Sequence, residues 1–305
     1  MTIGLCVPIY KQRQYTYQFI HGLLNQSCKP DIILAIMSDG DNIVESQFKQ
    51  INAVVYNINA KDFDHGGTRQ LACDCLTSVD IIIFLTQDAI LARNDSVENL
   101  LRCFSDGAVG VAYGRQLPRH GSHPIEAHAR LYNYPKESEV RCKNDISRLG
   151  FKTVFISNSF AAYRTEALRS VGGFASPTIF GEDTCVAAKM IQKNWKIAYS
   201  AAAQVYHSHN LTCMEEFRRY FDIGVFHAKE HWLLEMCGPP SGEGARFVRS
   251  ELNFLSQSQK NLIPGALCRS VLKWCGYRLG LVNESLPKSM RVSLSNNSTY
   301  WSKMG

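Results

Sequence analysis

Residues 80–89, DIIIFLTQDA, decide the fold. Five apolar residues in a row, bounded by polar ones, indicate a β-strand that is buried on both of its faces. Gln87 and Asp88 come directly after the carboxyl end of this strand. Because ligands of open α/β sheets bind beyond the carboxyl ends of the strands, this order of residues predicts a binding site there.

Three more apolar runs precede this strand and alternate with segments of helical periodicity. The strands are predicted at residues 3–9, 32–37 and 53–58, and the helices at residues 14–25 and 68–76. Pro8 is expected to end the first strand, because proline cannot donate a hydrogen bond to a neighbouring strand. The alternation predicts an α/β fold, with a Rossmann-like, mostly parallel sheet flanked by helices.

The pattern becomes mixed in the second half of the chain. A strand is predicted at residues 154–163 and a short helix at residues 166–171. Residues 182–192 are predicted as a helix that begins with two acids, which suit the positive end of a helix. Residues 215–234 carry apolar side chains at helical spacing, which predicts one long amphipathic helix.

Composition narrows the class of protein. The chain has 305 residues, of which 45% are hydrophobic and 20% charged, so a sizeable core is available. Its net charge of +6 permits attraction to an anionic membrane or a phosphorylated ligand but is too small to indicate nucleic-acid binding. The eleven cysteines are odd in number and lie mostly in apolar runs, which predicts reduced thiols in a cytoplasmic protein. The first residues turn polar too soon for a signal peptide, and no stretch approaches the roughly 18 apolar residues of a spanning helix.

An ordered set of motifs runs along the chain. The motifs are residues 7–10 (VPIY), 38–41 (SDGD), 66–69 (GGTR), 86–89 (TQDA), 158–174 (NSFAAYRTEALRSVGGF), 181–183 (GED) and 205–207 (VYH). In this order and spacing they resemble glycosyltransferase family 2, over about residues 3–230. The resemblance implies the GT-A fold in residues 1–235, followed by a basic helical extension at residues 236–305. Within the fold it assigns nucleotide-sugar binding to residues 1–113 and the acceptor and catalytic half to residues 114–235.

Five longer stretches resemble, more narrowly, the bacterial O-antigen and polysaccharide rhamnosyltransferases. They are residues 63–72 (FDHGGTRQLA), 84–89 (FLTQDA), 114–119 (GRQLPR), 129–135 (ARLYNYP) and 218–231 (RRYFDIGVFHAKEH). This resemblance implies an inverting enzyme that takes L-rhamnose from dTDP-L-rhamnose. It implies an acceptor saccharide linked to polyprenyl diphosphate, reached at the cytoplasmic face of the cell membrane.

The donor site implied by the resemblance consists of Pro8, Tyr10, Asp39, Arg69, Gln87 and Asp88. Asp39 matches the acid that accepts a hydrogen bond from the pyrimidine ring, and its alternative role is that of a turn residue. Arg69 follows two glycines, which let a backbone approach a ligand, and its forked guanidinium suits a diphosphate or a pyrimidine. The alternative for Arg69 is a surface arginine at the start of a helix.

Asp88 also matches the last acid of the D-x-D motif of the family, whereas Thr86 replaces the first acid. Asp88 and His207 are therefore predicted to hold Mg²⁺ or Mn²⁺, more weakly than a site with two carboxylates would. His209 would point the same way as His207 if the preceding strand continues. A structural role remains the alternative for both histidines.

Glu182 and Asp183 match the acid pair of the family, in which the aspartate is the catalytic base. An inverting transfer needs one carboxylate to take the proton from the acceptor hydroxyl as it attacks. The alternative is that both acids only stabilise the start of their helix. The residues predicted to line the acceptor or diphosphate region, or else to be solvated charges, are Arg115, Gln116, Arg218 and Arg219.

A helix predicted at residues 265–282 resembles those that lie in a membrane interface. Its broad apolar face is interrupted by Gly276 and Arg278, so packing on the enzyme body is the alternative. Peripheral attachment to the inner face of the cell membrane is the prediction that follows. The residues of the apolar face are Leu267, Val271, Leu272, Trp274, Cys275 and Leu279.

Three other functions stay open from the sequence. One is a family 2 transferase that uses another nucleotide sugar. A second is a non-catalytic relative that only binds the nucleotide sugar, which the threonine in the D-x-D motif keeps open. A third is a nucleotidyltransferase on a similar sheet, which would release pyrophosphate rather than a nucleoside diphosphate. The chain carries no G-x-G-x-x-G or P-loop motif, so dehydrogenases and kinases of those classes are disfavoured.

Overall fold

One sheet organises the chain. The computed structural model describes residues 1–10, 14–38, 40–238 and 242–304, with only the backbone of Ser258. The strands among these residues are β1 (Ile3–Tyr10), β2 (Ile32–Ser38), β3 (Val54–Ile58), β4 (Ile81–Leu85), β5 (Ile90–Leu91), β6 (Val109–Leu117), β7 (Glu139–Arg141), β8 (Phe160–Arg164) and β9 (Lys196–Tyr206). Their spatial order is β3-β2-β1-β4-β8-β6-β9-β5, and β7 pairs with β9.

Helices cover both faces of the sheet and form the C-terminal part of the chain. They are α1 (Thr16–Leu24), α2 (Asn42–Gln50), α3 (His65–Cys75), α4 (Ser96–Leu101), α5 (Pro124–Asn133), α6 (Ile146–Leu149), α7 (Thr165–Ser170), α8 (Glu182–Gln192), α9 (Cys213–Lys229), α10 (His231–Cys237), α11 (Glu243–Ser258), α12 (Ile263–Leu281), α13 (Lys288–Leu294) and α14 (Ser298–Lys303). The predicted α/β architecture with a helical C-terminus is confirmed.

The first four strands in the order, β3, β2, β1 and β4, are parallel to one another. Their carboxyl ends, including Tyr10, Ser38 and Leu85, therefore meet at one edge of the sheet. β8 runs antiparallel between β4 and β6, whereas β6 and β9 are parallel. β1 does not end at Pro8, as predicted, but continues to Tyr10. The reason is that β4 pairs with β1 only as far as Cys6, so one edge of β1 is already open at Pro8.

The apolar run at residues 81–85 is continuous because both faces of β4 are covered. Ile82 and Phe84 belong to a core cluster that includes side chains of α3, α8 and α9. The other three residues of the strand belong to a second cluster, with side chains of α1, α2 and α4. Successive residues of a strand point to opposite faces, so this strand needs apolar residues at every position.

The strand predicted at residues 154–163 was wrong in its first half. A 3₁₀ segment ends at Val154, and β8 begins only at Phe160. Between them, Asn158 donates its backbone N–H to Asp183 Oδ2 (3.2 Å). Because this N–H donates to a side chain, it does not pair with a neighbouring strand.

The single helix predicted at residues 215–234 was also wrong. The chain bends at Glu230, where φ is −100° and ψ is 46°, so α9 and α10 are separate helices. Trp232 Nε1 donates to Glu230 Oε2 (2.7 Å), which stabilises the bend. Helical periodicity continues across such a bend, and for this reason the pattern did not reveal it.

The helix predicted at residues 265–282 is observed as α12, but glycines form its packing face. Cβ atoms added to Gly276 and Gly280 would lie 2.4 and 2.1 Å from the carbonyl oxygens of Phe217 and Phe221. Gly276 is therefore a contact between α12 and α9 rather than an interruption of the apolar face. Among the described residues, no helix is both long enough and apolar enough to cross a membrane.

Candidate active site

Two strand ends bring the predicted metal ligands together. Asp88 follows β4, and His207 follows β9. The short strand β5 pairs with the end of β9, with Ile90 opposite Tyr206, and this pairing holds the loop after β4 beside His207. The backbone N–H of His207 donates to the oxygen of Leu117 at the end of β6 (3.0 Å).

Asp88, His207 and His209 form a cluster whose potential ligand atoms all lie within 4.8 Å of one another. Asp88 Oδ2 is 3.3 Å from His207 Nε2 and 3.7 Å from His209 Nδ1. Burial lowers the pKa of both histidines, which favours neutral imidazoles. The cluster thus offers one carboxylate and two imidazoles, a donor set that fits a divalent cation.

Gln116 contacts the second ring nitrogen of His207. Its Oε1 lies 2.8 Å from His207 Nδ1 and accepts a hydrogen bond from Arg130 Nη1 (2.5 Å). Its Nε2 donates to Ser157 Oγ (2.9 Å). Gln116 is only 1% exposed, so its amide is directed at the histidine and not at solvent.

Asp183 lies at the first turn of α8, after Gly181, whose φ of 71° is left-handed. Its Oδ1 accepts from the backbone N–H of Thr184 (2.7 Å), and its Oδ2 accepts from that of Asn158. Burial, together with the negative charge of Glu182, raises the pKa of Asp183 to about 7. A carboxylate with such a pKa can take a proton at neutral pH, whereas a solvated aspartate is a weak base there.

Arg69 is paired with Glu182 inside the protein. Its Nη1 lies 2.8 Å from Glu182 Oε1 and also donates to the backbone oxygen of His65 (2.9 Å). Burial would raise the pKa of Glu182, but the charge of Arg69 lowers it, so Glu182 stays ionised. Gly66, which precedes Arg69, packs closely against another part of the protein. A Cβ atom at this position would lie 1.9 Å from the backbone oxygen of Ala175, so the close approach is made by the chain and not by a ligand.

The predicted donor residues of the first strands lie at the carboxyl edge of the sheet. Gln87 joins two strand ends, because its side chain accepts from the N–H of Tyr10 (3.2 Å) and donates to the oxygen of Tyr10 (2.7 Å). The exposed ring of Tyr10 stacks on Phe63, with 5.6 Å between the ring centroids. Pro8 lies two residues earlier in β1 and is half-buried. Asp39 lies outside the described residues.

The remaining arginines predicted near the acceptor occupy three different environments. Arg115 is buried, and its Nε donates to the backbone oxygen that follows α5 (3.1 Å). Arg218 is bound to the C-terminal helices through a hydrogen bond from its Nε to the oxygen of Ser293 (3.1 Å). Arg219 is exposed, and its guanidinium lies 5.4 Å from the centre of the Phe180 ring. Of the three, Arg219 is the most exposed to solvent.

Sequence reasoning missed three residues that hold the site together. Asn158 contacts both acids of the E-D pair, since its Nδ2 also donates to Glu182 Oε1 (3.4 Å). Arg119 donates to the backbone oxygen of Asp88. Arg130 donates a hydrogen bond from its Nη1 to Gln116 Oε1. All three residues lie within the sequence stretches quoted above. Those stretches therefore pointed to the right part of the chain, although they did not show what each of the three side chains contacts.

The chain is similar to known proteins along its whole length. Residues 81–220 match the family described as glycosyl transferase family group 2. The whole chain is 45% identical to the O-antigen chain rhamnosyltransferase RfbN of Salmonella typhimurium, of which it covers 97%. It is 41% identical over 301 residues to the O-antigen chain rhamnosyltransferase WbaN of Salmonella anatum, covering 98% of this chain and 96% of that protein.

Solved structures share the fold at low sequence identity. The mannosyltransferase PcManGT of Pyrobaculum calidifontis, solved with GDP-mannose and Mn²⁺, aligns with 99% of this chain and 83% of its own, at a TM-score of 0.58 and 14% identity. Residues 1–349 of TarS from S. aureus, solved with UDP-GlcNAc, align with 93% of this chain and 91% of that one, at a TM-score of 0.53 and 13% identity. These likenesses concern the fold alone.

The α/β sheet and its covering helices have the GT-A fold of these glycosyltransferase structures. The full-length identity to the two Salmonella proteins shows the family: the chain belongs to glycosyltransferase family 2 and is an enzyme.

Proposed function

We propose that this enzyme transfers L-rhamnose from dTDP-L-rhamnose to a polyprenyl-diphosphate-linked saccharide during O-antigen synthesis. The identity of 45% over the whole chain to a protein named as an O-antigen chain rhamnosyltransferase supports the sugar and the process. The observation that carries the chemistry is Asp183, a carboxylate whose pKa is raised towards neutrality at the start of α8. It supports an inverting transfer with a single base.

In this mechanism the carboxylate of Asp183 takes the proton from the acceptor hydroxyl while the hydroxyl oxygen attacks the anomeric carbon. The bond from that carbon to the diphosphate oxygen breaks on the opposite face, and dTDP leaves with the electron pair. One displacement inverts the anomeric configuration. Glu182 stays ionised beside Arg69 and raises the proton affinity of its neighbour, so its role is to position and tune the base.

Asp88, His207 and His209 would hold the cation, Mg²⁺ or Mn²⁺. The donor set fits either ion, and the two imidazoles favour Mn²⁺, since nitrogen ligands discriminate against Mg²⁺. A divalent cation bound there would stabilise the negative charge of the leaving diphosphate. Asp88 comes from the predicted donor half, residues 1–113, and the histidines from the predicted acceptor half, residues 114–235. We propose that the site joins these two halves.

A donor screen tests the proposal directly. The enzyme is incubated with an acceptor extract and with dTDP-L-rhamnose, UDP-glucose, UDP-galactose, UDP-N-acetylglucosamine or GDP-mannose, and release of nucleoside diphosphate is measured. We expect release with dTDP-L-rhamnose above all others. A β-linked donor should give an α-rhamnoside, read from the anomeric carbon–hydrogen coupling by NMR. A β-rhamnoside would exclude the single-base mechanism, and pyrophosphate release would indicate a nucleotidyltransferase.

Turnover is expected to fall as the pH drops through about 7, because the base must be ionised and its pKa is raised to about 7. Below that pH, log kcat should rise by about one for each pH unit, and above it kcat should level off. The measurement is kcat at saturating donor and acceptor between pH 5 and pH 9, with donor affinity determined at each pH as the control. An acid limb near pH 4, the ordinary pKa of an aspartate, would contradict the assignment of Asp183.

We also propose that the enzyme attaches peripherally to the inner face of the cell membrane through α12. Its solvent side carries Leu267, Val271 and Trp274, of which Val271 and Trp274 are 60% and 64% exposed. An exposed apolar row on a helix that also carries basic residues is typical of interfacial helices. The acceptor lipid would be reached from that surface.

Flotation with vesicles of phosphatidylethanolamine and phosphatidylglycerol tests this attachment. The double variant Val271→Ser, Trp274→Ser should lose most of the fraction bound to vesicles. The two side chains that it removes supply apolar area that would enter the membrane interface. The matched control is Val54→Ser, which removes an exposed valine from β3 at the far edge of the sheet. Equal binding of the double variant and the control would contradict attachment through α12.

A further inference from the structure

We infer that Gln116 is the positioning residue that fixes the tautomer of His207, so that the lone pair on Nε2 faces Asp88. This role deepens the proposed function and rests on the metal role of Asp88 and His207. It replaces the predicted role of Gln116 in the acceptor region. Four links support it, namely the orientation of the amide, the tautomer that this orientation requires, the use of its hydrogen-bonding atoms, and the support from α5.

The orientation of the Gln116 amide is set by Arg130. A guanidinium can only donate hydrogen bonds, so the amide atom 2.5 Å from Arg130 Nη1 must be the oxygen. The amide nitrogen then points to Ser157 Oγ, which can accept (2.9 Å). Turning the amide over would place two donors against each other. The oxygen is therefore also the atom that lies 2.8 Å from His207 Nδ1.

The tautomer of His207 follows from that contact. Nδ1 faces an acceptor, so it carries the proton, and a neutral imidazole then has no proton on Nε2. This bare nitrogen lies 3.3 Å from the carboxylate oxygen of Asp88. Two lone pairs at this separation repel each other unless a positive charge lies close to both. The geometry is that of two ligands prepared for one cation, as is common where an outer partner orients a metal-binding histidine.

The hydrogen-bonding atoms of Gln116 are occupied within the protein. Its oxygen accepts from Arg130 and from His207, which uses both lone pairs, and its nitrogen donates to Ser157. With 1% exposure the side chain has no surface for an acceptor sugar. The Gln116 amide therefore serves to orient His207.

Helix α5 is linked to both histidines by hydrogen bonds. Arg130 Nε lies 3.2 Å from Glu126 Oε1, one helical turn away. The same Glu126 oxygen accepts the backbone N–H of His209 (3.1 Å). A continuous chain of hydrogen bonds thus runs from His209 through Glu126, Arg130 and Gln116 to His207. This chain accounts for the arginine of the ARLYNYP stretch and the glutamine of the GRQLPR stretch.

The tautomer can be read directly by NMR. In metal-free enzyme labelled with ¹⁵N-histidine at pH 8, a long-range ¹H–¹⁵N spectrum distinguishes the two neutral tautomers and the imidazolium, and a His207→Gln variant identifies the signals. We expect the Nδ1–H form in the unmodified enzyme. Gln116→Leu should shift His207 to the Nε2–H form, hydrogen-bonded to Asp88. Gln116→Glu should keep the Nδ1–H form, because a carboxylate still accepts the proton.

Mn²⁺ affinity, measured by electron paramagnetic resonance without donor or acceptor, is the second readout. Loss of an outer partner of a metal ligand typically weakens metal binding about 10- to 100-fold, and we expect this for Gln116→Leu. Gln116→Glu should restore most of the affinity. The matched control is Gln204→Leu in β9, whose side chain donates to the backbone oxygen of Ala201. Its affinity should equal that of the unmodified enzyme.

Two results would overturn the role of Gln116. One is an Nε2–H tautomer or an imidazolium for His207 in the unmodified, metal-free enzyme, and either result counts even if Gln116→Leu fails to fold. The other is a folded Gln116→Leu variant with unchanged tautomer and unchanged Mn²⁺ affinity. If Asp88→Ala lowers Mn²⁺ affinity while Gln116→Leu does not, only the positioning role fails. If Asp88→Ala leaves Mn²⁺ affinity unchanged, the proposed metal site itself fails.

Discussion

Asp183→Asn is expected to lower kcat by about a hundredfold to ten-thousandfold, the range typical for loss of a general base. An asparagine side chain keeps the size of Asp183 and, through its one amide oxygen, one of the two contacts with backbone N–H groups, but it cannot take a proton. The donor should bind with nearly unchanged affinity, because the base acts on the acceptor hydroxyl and not on the nucleotide. Single-turnover transfer and calorimetric titration with dTDP measure the two quantities separately.

The control for this variant is Asp106→Asn. Asp106 is an exposed acid whose carboxylate pairs with Lys196 (2.9 Å), so the substitution removes the same charge far from the acid pair of α8. Its kcat should stay within about twofold, as surface substitutions rarely do more. Unchanged turnover in Asp183→Asn would remove this residue from the mechanism. Loss of donor binding in the same variant would instead assign Asp183 to the donor site.

Asp88→Ala is expected to weaken Mn²⁺ binding more than the roughly 10- to 100-fold that loss of an outer partner causes. The variant removes the only carboxylate of the cluster and leaves two neutral imidazoles. Donor affinity should fall with it, because a cation held there would offset the negative charge of the diphosphate. Titration of dTDP into the enzyme, once with Mn²⁺ and once with a chelator, separates the two effects.

Asp95→Ala is the matched control for Asp88→Ala. Asp95 lies seven residues further along the same connection and is half-buried, with its carboxylate bound to Arg93 (2.8 Å). It should bind Mn²⁺ and dTDP as the unmodified enzyme does. If the donor affinity of the unmodified enzyme is the same with Mn²⁺ and with chelator, the cation has no part in donor binding. Such a result would limit the Asp88 cluster to a structural role.

Several features of the fold were accessible from local sequence because their causes are local. The apolar run at residues 81–85 predicted β4 correctly, since a strand covered on both faces needs an apolar residue at every position. Asp88 was predicted at the edge of the sheet by its place after that run. The acids at the start of α8 were predicted by their position at the beginning of a periodic segment.

The sequence by itself therefore determined the alternation of strands and helices in the first half of the chain, the edge of the sheet that carries the polar residues, and the resemblance to family 2. Only the tertiary structure decided the partners of those residues. The pairing of Arg69 with Glu182 spans 113 positions of the chain, and the contact of Gln116 with His207 spans 91. The glycine face of α12 became a contact only when α9 lay against it. Periodicity reports which face of an element is apolar, whereas the partner of a buried polar atom depends on strands and helices that meet only when the sheet is assembled.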